Sequence, residues 1–436
     1  MASPSSNISV LSKVIAEKTK IIDDYIRENH LPPLSFDGSS QPPDFPPEIE
    51  AVRLQLRDAT TELSELAAGP RLVLEQVFTN VPAADVVLRF DVFNLVPDDQ
   101  TGVTYESLST RTGVEESALR RVLQHLVTHR LFTEDRGRLK HNAVSRLLIQ
   151  EPGLTEALRW IVELGESRPM NFIGQALERF PRADELNETA AALALTPRDV
   201  QQRVAAGDAD ARLWTFYEFT ASSPKRTQQF AGGLKKVEGL SPHSLKHVVE
   251  GYTWGALPPG STVVDVGGGF GDSARAVIDK FAHLRFVVQD RKEVIEAVDA
   301  AEDADHASSG IEFAIHDVFE PQPDRGAALY LLRLVLHNWP DKHAIRILRA
   351  LIPALKKGTR VLVMDAIMPP LGSLPNVQER RLRNQDLGML ALFNAGDREE
   401  AKYRELFAKA DQRFRVKGVS TPEGSALSFV EAVWEG

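Results

Sequence analysis

The chain contains no cysteine. That absence excludes disulfides, thiolate nucleophiles and cysteine-ligated zinc or iron–sulfur centres, and it suits a reducing compartment. Also missing is any run of ~18 consecutive apolar residues, so no segment reads as a membrane-spanning helix. The opening "MASPSSNISVLSKVIAEKTK" lacks the apolar stretch of a signal peptide, and a cytoplasmic location is expected. On that expectation the sequons at Asn7 and Asn187 carry no meaning. Positive charge is in deficit: 51 basic against 61 acidic side chains give −10, the wrong sign for a general binder of nucleic acid or anionic membranes. A GK[ST] phosphate loop is absent too, which argues against a triphosphate ligand.

What is present describes a folded, water-facing protein of 436 residues, 43% hydrophobic and 26% charged, long enough for two or three domains. Leu11, Val14, Ile15, Ile21, Ile22 and Tyr25 recur near helical spacing and predict an N-terminal helix over 8–29. The proline-rich "LPPLSFDGSSQPPDFPPE" after it reads as an extended connector, and together they form an arm over 1–48. Helical patterning follows, including "RLVLEQVFTNVPAADVVLRFDVFNLV".

The stretch "VTYESLSTRTGVEESALRRVLQHLVTHRLFTEDRGRLKHNAVSRLLI" then gives a helix, a turn at Thr112–Gly113, a second amphipathic helix and two short segments around Arg136–Gly137. That is the layout of a winged helix-turn-helix, assigned to a domain over 49–150. Between Thr104 and Arg146 eight basic residues face five acids, but Glu115 and Glu116 open the second helix, where phosphates and base edges would lie. Dimerisation or a substrate lid is the expected role, not DNA binding.

Residues 151–250 read as helical and carry Trp160, Phe172, Trp214, Phe216, Tyr217, Phe219 and Phe230, either as helix–helix core or as the wall of a pocket for a flat ligand. His243 and His247 share the i, i+4 spacing of a metal pair, but no Glu follows His243 and no third ligand is evident. No metal is expected.

The pattern changes after residue 250. "STVVDVGGGFGDSARAVIDKFAHLRFVVQD", residues 261–290, is a β-branched strand, a glycine loop, an amphipathic helix and a second strand closed by an acid. Gly267, Gly268, Gly269 and Gly271 let the backbone turn sharply and approach a ligand, and the following helix presents free N–H groups. Asp290 stands ~20 residues beyond, where an acid reaches ribose hydroxyls in nucleotide-binding βαβ units. The run is G-G-G-F-G and not G-x-G-x-x-G, which favours adenosine without a pyrophosphate. A third strand, "IEFAIHDVFEP", ends in Asp317-Val318-Phe319, an acid and an apolar ring suited to an adenine's amino group and face. The expected fold is α/β: a C-terminal doubly wound, Rossmann-like domain over 251–436 beside a mainly helical N-terminal region.

These features resemble the S-adenosylmethionine (SAM) site of class I methyltransferases. With "LRLVLHNWPDKHAIRILRALIPALKKGTRVLVMDAIMPP" and "LGMLALFNAGDREEAKYRELFAKADQRF", most of the chain is similar to the caffeic-acid-type small-molecule O-methyltransferases, the fungal sterigmatocystin type above all. The resemblance implies a homodimer that binds SAM and an aromatic or polyketide-like acceptor. It also implies that the histidine of "LHNWPD", His337, is the general base, oriented by acids that match Asp365 and Asp397. The chemistry agrees, since a phenol with a pKa near ~10 needs a base at neutral pH and a neutral imidazole supplies one.

Asp397-Arg398-Glu399 stands where the family carries E-R-T, so a shorter acid does a glutamate's work, with Glu399 as a possible substitute. Arg333 matches a SAM-contacting basic residue, Asn338 stands where many relatives carry Asp, and Trp339 is expected to pack around the cofactor. Two rival readings stay open at this point. In one, the bound SAM serves only as a fixed charge for a pericyclase or dehydratase; in the other, the winged helix makes a DNA-binding regulator.

Overall fold

The computed structural model describes every residue except 1–7, 35–44, 100, 164–166, 224–225, 228–242, 301–309 and 324–325. Asn7, Phe230 and the middle of the proline-rich stretch therefore lie outside the described residues, as does the Trp160 side chain. The chain divides into two compact units, Met1–Thr155 and Glu156–Gly436. No helix among the described residues is long and apolar enough to cross a membrane.

In the first unit α1 (Ile8–Glu28) packs on the long α2 (Pro47–Asn80). Gly69 interrupts α2 at φ 77°, because the ring of Pro70 disfavours a helical conformation in the residue before it. Then come β1 (Val103–Thr104), α3 (Tyr105–Thr112), α4 (Glu116–Thr128), β2 (Thr133–Asp135), β3 (Arg138–Lys140) and α5 (Ala143–Gln150), the three strands ordered β1-β3-β2. Gly113 ends α3 in the left-handed conformation, as a turn between two helices requires. Glu115 is the N-cap of α4, accepting the Ala118 N–H at 2.9 Å, and Glu116 pairs with Arg120 at 2.5 Å. The two acids that argued against DNA readout are thus used within their own helix.

The second unit is built on a seven-stranded sheet ordered β6-β5-β4-β7-β8-β10-β9. From residue 262 onward its strands and α-helices are β4 (Thr262–Val266), α6 (Asp272–Lys280), β5 (Arg285–Asp290), α7 (Lys292–Ala300), β6 (Ile311–Ile315), β7 (Leu329–Arg333), α8 (Asp341–Leu351), β8 (Arg360–Asp365), α9 (Asn376–Phe393), α10 (Glu400–Ala410), β9 (Phe414–Ser420) and β10 (Ser428–Trp434). β4 to β8 are parallel, and the β9–β10 hairpin closes one edge antiparallel. Strands reading as unbroken apolar runs need cover on both faces. β7 shows this: Leu329 and Leu331 enter one core with Val263, Leu362 and Met364, while Tyr330 and Leu332 enter the other with Val264, Val266 and Val363.

The strand order reverses at β4, since β5 and β6 extend one way and β7 and β8 the other. Ligands of such sheets bind outside the carboxyl ends of the strands at that switch point. Here the switch falls between β4, which feeds the glycine loop, and β7, which feeds the turn bearing His337.

Candidate active site

The glycine loop leaves β4 with Gly267 at φ 70° and Gly269 at φ 57°, conformations that strain residues with a Cβ. At Gly268 the limit is space: an added methyl would sit 2.6 Å from the Asp265 carboxyl carbon. Asp290, at the end of β5, accepts the Gly269 N–H at 2.9 Å through Oδ2 and the Arg291 N–H at 2.7 Å through Oδ1. Burial pushes its carboxyl above the usual range, against those two hydrogen bonds. Nothing lies within 4 Å of a methyl built on Gly269, so the loop borders open space. A cradle with a close backbone approach and an acid at its rim fits an adenosine-bearing cofactor.

β6 delivers the next group. Asp317 is exposed and turns the chain by accepting the Phe319 N–H at 2.9 Å, and Val318 packs partly into the core. Phe319 meets Trp339 edge-on at 4.7 Å. Tyr217, from the short helix Phe216–Ala221, stacks on Trp339 at 5.7 Å. Tyr217 lies under the Arg291 guanidinium at 5.1 Å. Burial raises its hydroxyl pKa, so it stays neutral. Tyr217 therefore links the Asp290 end of the cradle to the His337 turn. Sequence reasoning counted it among the aromatics without seeing that link. Phe216 and Phe219 fill a core with Leu392 and Phe393, whereas Phe172, Trp214 and Tyr217 are only partly buried beside it.

β7 ends at Arg333, which is buried and donates through Nη2 to the His243 carbonyl at 3.2 Å. Leu334 then takes φ 56°, held by its N–H to the Met364 carbonyl at 3.0 Å, and the 3-10 turn Leu336–Asn338 places His337. A methyl on Gly267 would lie 3.1 Å from Val335, so the glycine loop and the histidine turn abut.

His337 is buried, and its Nδ1 lies 3.1 Å from Asp397 Oδ1. Burial disfavours the imidazolium, but the Asp397 hydrogen bond and the charges of Asp365 and Asp397 outweigh it and hold the pKa above its ordinary value. Asp365, fully buried at the end of β8, makes no hydrogen bond to the ring. Its Oδ2 accepts from the Tyr403 hydroxyl at 2.9 Å, so it acts on His337 through charge alone. Burial raises its own pKa, and the His337 charge opposes the rise. Glu399 is exposed at the start of α10 and is no substitute for Asp397.

Four further groups surround this pair that sequence reasoning did not assign: Tyr403, Gln385, Asp386 and Arg398. Tyr403 stood six residues after Asp397 in a quoted motif, but nothing in the spacing marked it as the partner of Asp365. The His243 ring lies near enough to feel the His337 charge, and burial, with Arg381 and Arg333, lowers its pKa to about 4, so it is neutral. Among the described residues no group of three or more His, Asp or Glu side chains is placed to hold a metal.

Residues 201–413 match the O-methyltransferase domain family. The chain is 35% identical to O-methyltransferase gsfB of Penicillium aethiopicum, with 100% of each chain covered. It is 33% identical to O-methyltransferase pgmB of Aspergillus terreus, covering 99% of this chain and 97% of that one. The crystal structure of OxaC in complex with SAH and oxaline shares the fold at TM-score 0.67 and 19% identity, over 97% of this chain and 100% of that one. The chain belongs to the O-methyltransferase family and is a SAM-dependent O-methyltransferase. Nothing in these relationships favours the pericyclase or dehydratase alternative.

Proposed function

We propose that the enzyme methylates a hydroxyl group on an aromatic or polyketide-like secondary metabolite, with His337 as general base. The observation that carries this reading is the buried His337–Asp397 pair, 3.1 Å apart on a turn that abuts the glycine loop. Ionised Asp397 can only accept, so His337 Nδ1 keeps its proton and the lone pair falls on Nε2. Nε2 takes the acceptor's hydroxyl proton while the oxygen forms its bond to the methyl carbon and the carbon–sulfur bond breaks. When bound, SAM supplies that methyl on a positively charged sulfur. Asp397 fixes the ring and its tautomer, and the Asp365 charge favours the imidazolium that forms.

Gly267, Gly268 and Gly269 would cradle the cofactor, with Asp290 on the ribose hydroxyls, Asp317, Val318 and Phe319 around the adenine, and Arg333 as a basic contact. The partly buried rings of Phe172, Trp214 and Tyr217 around Phe393 suit a flat acceptor. Relatives support the metabolite class: one is the grayanic acid biosynthesis cluster O-methyltransferase of Cladonia grayi, 30% identical over 99% of this chain.

Residues 1–150 are assigned to a homodimer interface that includes a winged helix. The order α3, turn, α4, β2, β3 supports the second part, and exposed Ile8, Val10, Leu54 and Leu66 on α1 and α2 support the first. The domain limits 1–48, 49–150, 151–250 and 251–436 and a cytoplasmic setting belong to the same reading, the latter favoured by the absence of cysteine.

Incubation with methyl-deuterated SAM and a panel of hydroxylated aromatics tests it. Deuterated methyl ether in one product is expected. A product that has lost water or isomerised without label would make SAM a fixed charge and overturn methyl transfer. Asp290→Ala should weaken SAM binding about 10- to 100-fold, corresponding to ~1.5–3 kcal/mol for a hydrogen bond to a charged group, with acceptor affinity unchanged. Calorimetry with each ligand separately would read this, and equal loss of both would refute the ribose assignment.

A further inference from the structure

Asp397 holds His337 with a short side chain, so the base is oriented only if the Asp397 backbone is itself fixed. Two attachments fix it. On the α9 side, the Asp397 N–H donates to Asp386 Oδ1 at 2.8 Å, and Gln385 Nε2 lies 3.4 Å from Asp397 Oδ2. Gly396 sits so close that an added methyl would be 2.7 Å from the same Asp386 oxygen. On the histidine side, buried Arg398 donates through Nη1 to the Leu336 carbonyl at 2.8 Å and through Nη2 to the Trp339 carbonyl at 2.5 Å. Its Nε reaches Asp341 at the start of α8 at 3.0 Å. Its backbone carbonyl takes the Met368 N–H at 3.0 Å, which ties the same segment to the chain just beyond β8. The segment 396–398 is thus pinned to α9 by one residue and to both ends of the Leu336–Asn338 turn by another.

We propose that Asp386 and Arg398 are positioning residues of the methyl transfer: Asp386 holds the backbone of Asp397, Arg398 grips the turn that carries His337, and together they set the reach from carboxylate to imidazole. The proposal rests on the reading of His337 as the base. A planar guanidinium with several donors spans two carbonyls and a carboxylate at once, and a lysine ammonium does not. Displacement of a catalytic group by ~1 Å is enough to lose about 10²-fold in rate.

The experiment measures kcat, the KM for SAM and the pH profile of kcat/KM for Asp386→Ala, Asp386→Asn, Arg398→Lys and His337→Ala. Asp386→Ala is expected to lower kcat about 10- to 100-fold with the KM for SAM unchanged. The acid limb of its profile should move to lower pH, because Asp397 retreats and burial of the imidazole is left less opposed. Asp386→Asn retains an oxygen that accepts the Asp397 N–H and should recover most of the rate. Arg398→Lys should shift the limb in the same direction as Asp386→Ala.

An effect of structure alone would lower the fraction of active enzyme and leave the limb in place, and that result would overturn the proposal. Where Asp386→Ala does not fold, Gly396→Ala crowds the same contact from outside; an unmoved limb in it would count equally against the proposal. Wild-type turnover in His337→Ala would remove the base and the proposal with it. An inactive His337→Ala beside an unaffected Asp386→Ala would overturn the positioning role alone.

Discussion

Replacing His337 with alanine is expected to lower turnover by about 10²–10⁴-fold, the range in which a positioned base contributes, while SAM binds as in the wild type. The separation follows from where the ring sits. His337 lies on the turn after β7, with its Nδ1 on Asp397, and none of its hydrogen bonds reaches the glycine loop or Asp290. Backbone N–H groups of the loop and the carboxylate of Asp290 survive the substitution. Single-turnover rates with a bound acceptor, set beside calorimetric SAM affinity, would read the two quantities separately. A large loss of SAM affinity would assign the imidazole to packing of the cofactor site instead. The Gly267–Val335 contact makes a small indirect effect on SAM acceptable, but not a loss that rivals that of turnover.

Asp397→Asn should change both the height and the position of the pH profile. The neutral imidazole is the working form, so activity falls as pH drops through the His337 pKa. In the wild type that pKa stands above its ordinary value, because the Asp397 bond and the charges of Asp365 and Asp397 outweigh burial. With asparagine the hydrogen bond to a carboxylate and one charge are gone, burial persists, and only Asp365 still raises the pKa. The acid limb of kcat/KM must therefore move to lower pH. Its plateau should drop by about 10²–10⁴-fold, since the asparagine amide can donate to Nδ1 and so place the proton on Nε2, the atom that must receive one. A limb that stays put, or moves up, would show that Asp397 does not set the ionisation of the base.

The strands, the glycine loop and the acids at strand ends were legible because each is local. The β-branched run in "TVVDV" reads as a buried strand, and consecutive glycines before an amphipathic helix leave few conformations. The His337–Asp397 pairing joins residues 60 apart and was available only through resemblance, since no spacing rule connects a turn after β7 to the start of α10. Tyr403 captures the hydroxyl-facing oxygen of Asp365, a matter of side-chain rotamers on α10 that no periodicity encodes. Glu399 read well as an acid near the right motif, but its place at the helix start turns it to solvent. Of the aromatics in 151–250, Phe216 and Tyr217 are adjacent on one short helix and both meet Phe393, but Phe216 is buried in the core while Tyr217 also stacks on Trp339, a split that no periodicity encodes.

The abutment of Gly267 on Val335 governs what this architecture can vary. The donor loop and the base turn emerge from neighbouring parallel strands, whose spacing of ~4.8 Å is a property of backbone pairing and not of any side chain. Drift in either loop is therefore met by the other at that contact. In the function proposed above, the acceptor is met elsewhere, by the partly buried rings of Phe172, Trp214 and Tyr217. On that reading, substitutions beside those rings change which acceptors fit, while the register of the glycine loop against the His337 turn stays fixed by the β4–β7 pairing.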